Sequence, residues 1–139
     1  MDKLALFRFI AALALTFAAS AQTNPHVTGF FTNMKYVADS GDVVGMEVWI
    51  VYARHGYWAT VQLAEGFPEP PVVVRVEVSG PKISFDVPDP ADEPDHNRGR
   101  ATFRFMGAVN RTGLVGTFLQ QRVILKRTKS YWQWPSEER

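Results

Sequence analysis

A group of acidic side chains and one histidine lies between two apolar segments and is the first candidate for chemistry. Its ligand-type side chains are Asp89, Asp92, Glu93, Asp95 and His96. Carboxylate oxygens and an imidazole nitrogen could bind a divalent cation. The spacing lacks the glycine of a calcium-binding loop, and Pro88, Pro90 and Pro94 interrupt the segment. We interpret the segment as a solvated acidic loop and predict no metal site.

Groups that could perform catalysis are few and far apart. The histidines His26, His55 and His96 are separated in sequence, and no serine occupies a Gly-x-Ser-x-Gly nucleophile elbow. No glycine-rich phosphate loop opens a helix. Glu47 and Glu65 could pair as glycosidase-type carboxylates, but Glu47 alternates with apolar residues and is expected to face solvent. The absence of cysteine excludes thiolate chemistry and disulfides. We therefore predict a protein that is not an enzyme and uses no cofactor.

Four side chains on one predicted hairpin are candidates for ligand binding. Gln62 and Glu65 lie close to the end of a strand, where a barrel has its mouth, and could orient the polar group of a ligand. Trp49 and Trp58 add large aromatic surfaces on the same hairpin. The alternative interpretation is that Gln62 and Glu65 are ordinary outward positions of a half-exposed strand.

The charges are sorted along the chain. Residues 37–95 contain eleven acidic and three basic side chains, whereas residues 96–136 contain eight basic and no acidic ones. In an antiparallel meander these halves would form opposite walls. One wall, called here the basic wall, would carry Arg100, Arg104, Arg122 and Lys126. We expect this wall to bind an anionic envelope component, or a second copy of the chain, in a weak and salt-sensitive manner. The alternative is that facing strands pair these charges within one molecule. Nucleic acid is not an expected partner.

The first 21 residues read as a secretory signal peptide. Lys3 and Arg8 precede an uncharged apolar run, and Ala19-Ser20-Ala21 has the small-x-small pattern of a cleavage site. The run is shorter than the roughly 20 apolar residues of a membrane span, which favours a signal peptide. An uncleaved anchor is the alternative. We predict one mature domain over residues 22–139, with 13 basic and 13 acidic residues. Export without cysteine favours a bacterial periplasm or exterior.

The mature chain reads as strands separated by turns every 8–12 residues, which is typical of sandwiches and barrels. Apolar side chains alternate with polar ones at a period of two, and no segment after residue 21 has the 3.6-residue period of a core helix. Eight strands are predicted, at residues 28–36, 43–52, 57–65, 72–79, 82–87, 101–109, 114–119 and 122–128. Closure would remove exposed edges. We therefore predict an all-β, eight-stranded antiparallel up-and-down barrel with a filled interior and an aromatic tail that folds back on it. An open sandwich is the alternative.

The last strands carry a family resemblance. Gly107 is followed by GLVGTF at residues 113–118 and VILKR at residues 123–127. This stretch resembles the closing strands of lipocalin-like (calycin-type) barrels, in which a strand ending in glycine precedes Leu-x-Gly-x-Phe and Val-x-Leu-Lys-Arg strands. Residues 23–36, with Gly29-Phe30-Phe31, resemble their opening strand. The resemblance implies a lipocalin-like module of the kind found in exported bacterial proteins.

Two functions from different classes follow. The first is a non-enzymatic binding module for an apolar small ligand or an envelope partner, with no membrane span after signal cleavage. The second is a structural or self-associating envelope protein that uses its oppositely charged walls and forms a weak homo-oligomer. The volume left inside the barrel discriminates between them, because an eight-stranded barrel is either filled by side chains or able to hold one small ligand.

Overall fold

The computed structural model describes residues 26–92 and 100–133. Within these residues it contains nine β-strands, one turn of 3₁₀ helix at Tyr131–Gln133 and no α-helix. The strands are β1 (Gly29–Thr32), β2 (Lys35–Val37), β3 (Asp42–Ala53), β4 (Gly56–Pro68), β5 (Val72–Ser79), β6 (Lys82–Pro88), β7 (Thr102–Val109), β8 (Gly113–Phe118) and β9 (Gln121–Arg127). The predicted signal segment, together with Glu93, Asp95, His96 and Trp134, lies outside the described residues.

The strands form one closed antiparallel sheet. Neighbours in sequence are neighbours in the sheet from β2 to β9, and β1 pairs with both β3 and β9. Because β1 and β2 follow each other along the same edge of β3, they act as one interrupted strand of an eight-stranded barrel. The structure confirms the predicted all-β up-and-down barrel and excludes the open sandwich.

The predicted first strand, residues 28–36, is interrupted at Asn33 and Met34. Side-chain hydrogen bonds are added to the backbone there: Asn33 N donates to Met46 O at 3.1 Å, Asn33 Oδ1 accepts from Met46 N at 2.8 Å, and Thr32 Oγ1 accepts from Met34 N at 3.0 Å. Gly45 has φ +122°, and a Cβ at this position would lie 2.8 Å from Asn33 O. Gly45 therefore permits the close approach that the interruption requires.

The β3–β4 hairpin is the longest pairing in the barrel, with eleven residue pairs from Val43–Gly66 to Ala53–Gly56. It extends beyond the two strands that alternation predicted. Arg54 and His55, at φ 45° and 66°, form its two-residue turn with the left-handed backbone that matches the twist of a hairpin. Leu119 and Gln120 form the β8–β9 turn with similar φ values of 50° and 63°.

The barrel interior is filled by fully buried side chains through its middle. The largest of these are Phe31, Phe85, Phe105, Ile50, Leu114, Leu125, Val48, Val61, Val87 and Val109. The rings of Phe85 and Phe105 stack at 4.8 Å between centroids and 11° between planes. Gly107 and Gly116 face each other in the β7–β8 ladder, and a Cβ on Gly116 would lie 2.5 Å from Phe105 Cζ. The glycine pair therefore provides the space that the Phe105 ring occupies.

One end of the barrel, called here the closed end, is sealed by the chain entering β1. It is the end at which the turns 54–55, 80–81 and 110–112 lie. Val27 is buried there, and the Arg127 guanidinium lies 4.5 Å from the centre of the Phe31 ring. Arg127 Nη1 donates to Thr28 O at 2.7 Å, and its Nη2 donates to His26 O. Partial burial lowers the pKa of Arg127 from its usual value, because removal from water disfavours the charged form.

Residues 128–133, called here the C-terminal strap, cross the outer surface of β1, β3 and β4. Glu47 is only 7% exposed, and its carboxylate accepts hydrogen bonds from Ser130 Oγ at 2.7 Å and Tyr131 N at 2.6 Å. Tyr131 packs with Met34 and Ala64 in a small outer cluster. The predicted fold-back of the aromatic tail is confirmed for residues 130–133. The expectation that Glu47 faces solvent is wrong, because the strap covers it.

Candidate functional site

The end opposite the closed end is called here the mouth. It holds a cavity that is called here the main cavity, because it is the larger of the two described at this end. The turns 38–41, 69–71 and 119–120 lie at this end. The cavity has a volume of about 570 Å³, and its apolar lining comes from five different strands: Met46, Leu63, Phe103, Phe118 and Val123. The Phe103 and Phe118 rings meet edge to face at 6.2 Å. This volume falls in the range of small-molecule sites, about 300–1,000 Å³.

A second cavity of about 250 Å³ adjoins the mouth and shares Leu63, Glu69 and Pro90 with it. Val61, Val72 and Val87 give it an apolar wall, and Arg100 lies at its edge. These residues belong to the middle and mouth-end parts of β4, β5 and β6. The two cavities therefore lie next to each other at the mouth end, and together they are called here the recess.

The barrel is open at this end because its ladders stop short. β5 pairs with β6 only between Glu77–Ser79 and Lys82–Ser84, near the closed end. β7 pairs with β8 only over Met106–Val109, so Phe103 has no partner on β8. Prolines at 70, 71, 88 and 90 line the connections at the mouth, and proline cannot donate to a ladder. The strands consequently separate where the cavity lies.

Three carboxylates stand at the rim of the mouth: Glu65, Glu69 and Asp89. Asp89 also organises its own loop, since its Oδ1 accepts a hydrogen bond from Ala91 N at 2.9 Å and its carbonyl oxygen accepts one from Arg100 Nε at 2.7 Å. Asp92 Oδ2 accepts from Ala101 N at 2.5 Å. These contacts join the two described ends of the loop between β6 and β7.

Of the four predicted ligand-binding residues, the structure places Glu65 at the mouth and the other three on the outer surface. Gln62 contacts the strap, since its Oε1 accepts from Trp132 Nε1 at 2.7 Å. Its Nε2 donates to Glu69 O, in the β4–β5 connection, at 2.9 Å. Trp49 stacks on Phe30 at 5.2 Å. Trp58 lies under the Arg75 guanidinium at 5.7 Å. The four side chains therefore do not form one site.

The lining of the mouth was missed as a site by sequence reasoning, although the sequence carried part of the signal. Alternation assigns Met46, Leu63 and Phe103 to the interior, and the structure agrees. Alternation does not show where the ladder between two strands stops short. It therefore does not show which inward residues line an opening. Prolines concentrated in two connections at the same end were the available signal.

The four residues of the predicted basic wall have different surroundings. Arg104 forms salt bridges with Glu77 at 2.6 Å and with Asp86 at 3.3 Å. Arg100 lies at the mouth, and Arg122 and Lys126 are exposed on β9. Arg104 is therefore paired with acidic side chains of the same molecule, as the alternative interpretation predicted for this wall. Association through the basic wall stays a prediction.

Ser84 and Arg104 together affect the protonation of Glu77. Ser84 Oγ donates to Glu77 Oε2 at 2.7 Å, and Arg104 Nη2 donates to the same oxygen. The hydrogen bond from Ser84 and the charge of Arg104 hold the pKa of Glu77 below its usual value. Because the pKa is lowered, the interaction is present at neutral pH and is lost as the pH falls through the lowered pKa.

Charge differs between the two ends of the barrel. Residues 53–56, 79–82, 110–113 and 127–129 make up the closed-end connections, and their charged side chains are all basic: Arg54, Lys82, Arg111, Arg127 and Lys129. At the mouth end, residues 38–42, 65–71, 88–92, 100–101 and 118–122 carry six carboxylates and two cations: Asp39, Asp42, Glu65, Glu69, Asp89, Asp92, Arg100 and Arg122. Among the described residues, the molecule is therefore positive at the closed end and negative around the mouth.

The candidate metal ligands are only partly covered by the structure. Across residues 26–92 and 100–133, no three His, Cys, Asp or Glu side chains come together as a group that could hold a metal ion. Asp89 and Asp92 instead accept backbone hydrogen bonds. The interpretation of the complete segment as a solvated acidic loop stays a prediction.

The fold and the mouth together define the class of this protein. It is a small, closed, eight-stranded antiparallel β-barrel with one capped end and one open, apolar end, and this architecture is compatible with lipocalin-like barrels. No protein-family model, no curated protein and no solved structure matches the chain. In the described part of the chain, no helix has the length and hydropathy to cross a membrane.

Proposed function

We propose that this protein is a non-enzymatic binding module that holds an apolar small ligand, or the apolar part of an envelope partner, in the mouth. The observation that carries the proposal is a cavity of about 570 Å³ lined by Met46, Leu63, Phe103, Phe118 and Val123 in a barrel whose middle is filled. Covering exposed apolar surface of this concave shape with an apolar ligand is favourable, because it removes that surface from water.

The architecture supports a lipocalin-like assignment within this proposal. The residues that resemble lipocalin-like closing strands, GLVGTF and VILKR, lie in β8 and β9. These strands contribute Phe118 and Val123 to the mouth, and β9 closes the ring through β1. The resembling motifs thus supply both the closure of the barrel and part of the cavity lining.

We further propose that the protein is exported to the bacterial periplasm or exterior. The small-x-small motif Ala19-Ser20-Ala21 supports cleavage before Gln22. We expect the intact mass of protein recovered from a bacterial periplasm to match a chain that starts at Gln22. A mass that retains residues 1–21 would contradict cleavage and favour the uncleaved anchor.

A titration with a neutral apolar fluorophore tests the binding function. N-phenyl-1-naphthylamine should bind the wild-type protein with enhanced fluorescence. Val123→Trp places a large ring in the mouth and should weaken binding at least about tenfold. Loss of about 1.4 kcal/mol of binding free energy corresponds to that factor.

The neighbouring residue provides a matched control. Ile124 is on the same strand and points to the outer surface, where it is 50% exposed. Ile124→Trp adds the same side chain on the opposite face and should leave the affinity within about twofold of wild type. Equal losses in both variants, or no fluorescence enhancement with wild type, would refute binding in the mouth. Circular dichroism verifies that both variants are folded.

A further inference from the structure

We propose that the ligand of the mouth is a cationic amphiphile, with its apolar body in the cavity and its positive group against the rim carboxylates. This inference rests on the proposed function and specifies the chemical class of its ligand. The site itself is the apolar cavity. The charged groups around it determine which polar group a ligand can carry at the entrance.

The main cavity is lined by charged side chains of one sign among the described residues. Its charged lining residues are Glu65, Glu69 and Asp89, and no cationic side chain of the described residues lines it. Within the same residues, neither Glu65 nor Glu69 has a cation at salt-bridge distance. An apolar ligand with a negative group would therefore meet three carboxylates, whereas a positive group would gain charge-assisted contacts with them.

A cation, Arg100, lies close to the rim. Arg100 borders the smaller, adjoining cavity, and its Nε donates to the carbonyl oxygen of Asp89 at 2.7 Å. The guanidinium is thus held at the side of the recess by a backbone contact. It is absent from the lining of the main cavity, where the carboxylates of Glu65 and Glu69 remain available to a ligand.

The charges of the whole barrel act in the same direction. Among the described residues, the connections at the closed end carry five basic side chains and no carboxylate, and those at the mouth end carry six carboxylates and two cations. Lys35 on β2 also lies near the mouth end and reduces this difference without reversing it. A separation of charge along the axis draws cations toward the mouth and anions toward the closed end. The same field favours the orientation in which the positive group stays at the rim.

Two surfactants with the same alkyl chain and opposite head groups test the proposal. Dodecyltrimethylammonium and dodecyl sulfate are each used below their micelle concentrations to displace N-phenyl-1-naphthylamine. We expect the cationic surfactant to compete at least about tenfold more strongly at low salt. The ratio should fall toward one in 1 M salt, where the screening length is only about 3 Å.

A pair of double variants locates the source of the preference. Glu65→Gln with Glu69→Gln removes two rim charges and should reduce the cation-to-anion ratio at least about threefold. Glu77→Gln with Asp86→Asn removes two charges from the outer surface and should leave the ratio within about 1.5-fold of wild type. The readout is the ratio, so a general change in affinity does not affect the conclusion.

The outcomes separate this inference from the function on which it rests. If the fluorophore binds in the mouth but both surfactants compete equally, or if the rim variant keeps the wild-type ratio, the ligand is not selected by these carboxylates and the inference is overturned. If the fluorophore does not bind in the mouth at all, the proposed function fails first. A stronger effect of dodecyl sulfate in folded protein would reverse the assignment of charge.

Discussion

Replacing Phe105 by Ala is expected to lower the free energy of unfolding by about 3–5 kcal/mol. Phe105 is fully buried, stacks on Phe85 at 4.8 Å and covers the paired glycines Gly107 and Gly116. Removing its ring leaves a void bounded by backbone that is tied into the β7–β8 ladder and cannot easily collapse. The loss should therefore include a large cavity contribution besides the transfer free energy of the ring.

The measurement is chemical denaturation followed by tryptophan fluorescence. Met106 is the next residue on β7 and is 60% exposed, so Met106→Ala should change the free energy of unfolding by no more than about 0.5 kcal/mol. A cost below about 1 kcal/mol for Phe105→Ala would place this ring outside the core and contradict the packing described above.

Gly116→Ala is expected to destabilise the barrel by about 1–3 kcal/mol, the usual cost of overpacking. Glycine in a strand normally costs about 0.5–1 kcal/mol relative to alanine, so the expected effect has the opposite sign from that of an ordinary strand position. The added Cβ would meet Met106 O and would lie 2.5 Å from Phe105 Cζ and 2.9 Å from Gly107 Cα. Two of these three atoms belong to the backbone and cannot move aside cheaply.

Gly56→Ala is the matched control in the same denaturation experiment. A Cβ at Gly56 would meet only the guanidinium end of Arg75, at 3.2 Å, and this flexible side chain can shift. We expect a change within about 0.5 kcal/mol. A stabilised Gly116→Ala variant would show that the glycine pair is not required for the seating of Phe105.

The architecture could be predicted from the sequence because it depends on local patterns. Alternation at a period of two identifies the strands and their inward faces, and short turns make sequential neighbours pair. The interruption at Asn33 and Met34 could not be predicted in this way. It depends on two hydrogen bonds with Met46 on another strand: Asn33 Oδ1 accepts from Met46 N, and Thr32 Oγ1 donates to Met46 O. Alternation within the first strand carries no information about those partners.

The arrangement of charge shows a second limit of sequence reasoning. The acidic and basic segments of the chain meet where β6 pairs with β7, and Asp86 lies opposite Arg104 in that ladder. Arg104 therefore pairs with acidic side chains at this boundary. In an up-and-down barrel, successive turns alternate between the two ends, so turn residues are sorted by end as well as by position in the chain. The charges of the chain segments therefore predict the charge of the walls and not the charge of the two ends.

The candidate site was only partly predictable for a related reason. Glu65 could be placed near a mouth because it ends the predicted strand 57–65. Alternation puts Gln62, Trp49 and Trp58 on the outward faces of their strands, where the structure has them. The lining of the mouth depends on where the β5–β6 and β7–β8 ladders stop. That property results from the packing of several strands at once, and no single strand's pattern contains it.

Amide chemical-shift mapping of the ¹⁵N-labelled protein with N-phenyl-1-naphthylamine tests the binding site most directly. The account predicts that the largest shift changes lie at the mouth, on the amides of Met46, Leu63, Phe103, Phe118 and Val123. The amides of the closed-end turn at Arg54 and His55 should be unaffected. Changes confined to the outer surface around Trp49 and Trp58, with an unperturbed mouth, would contradict the proposal that this barrel binds its ligand through the open end.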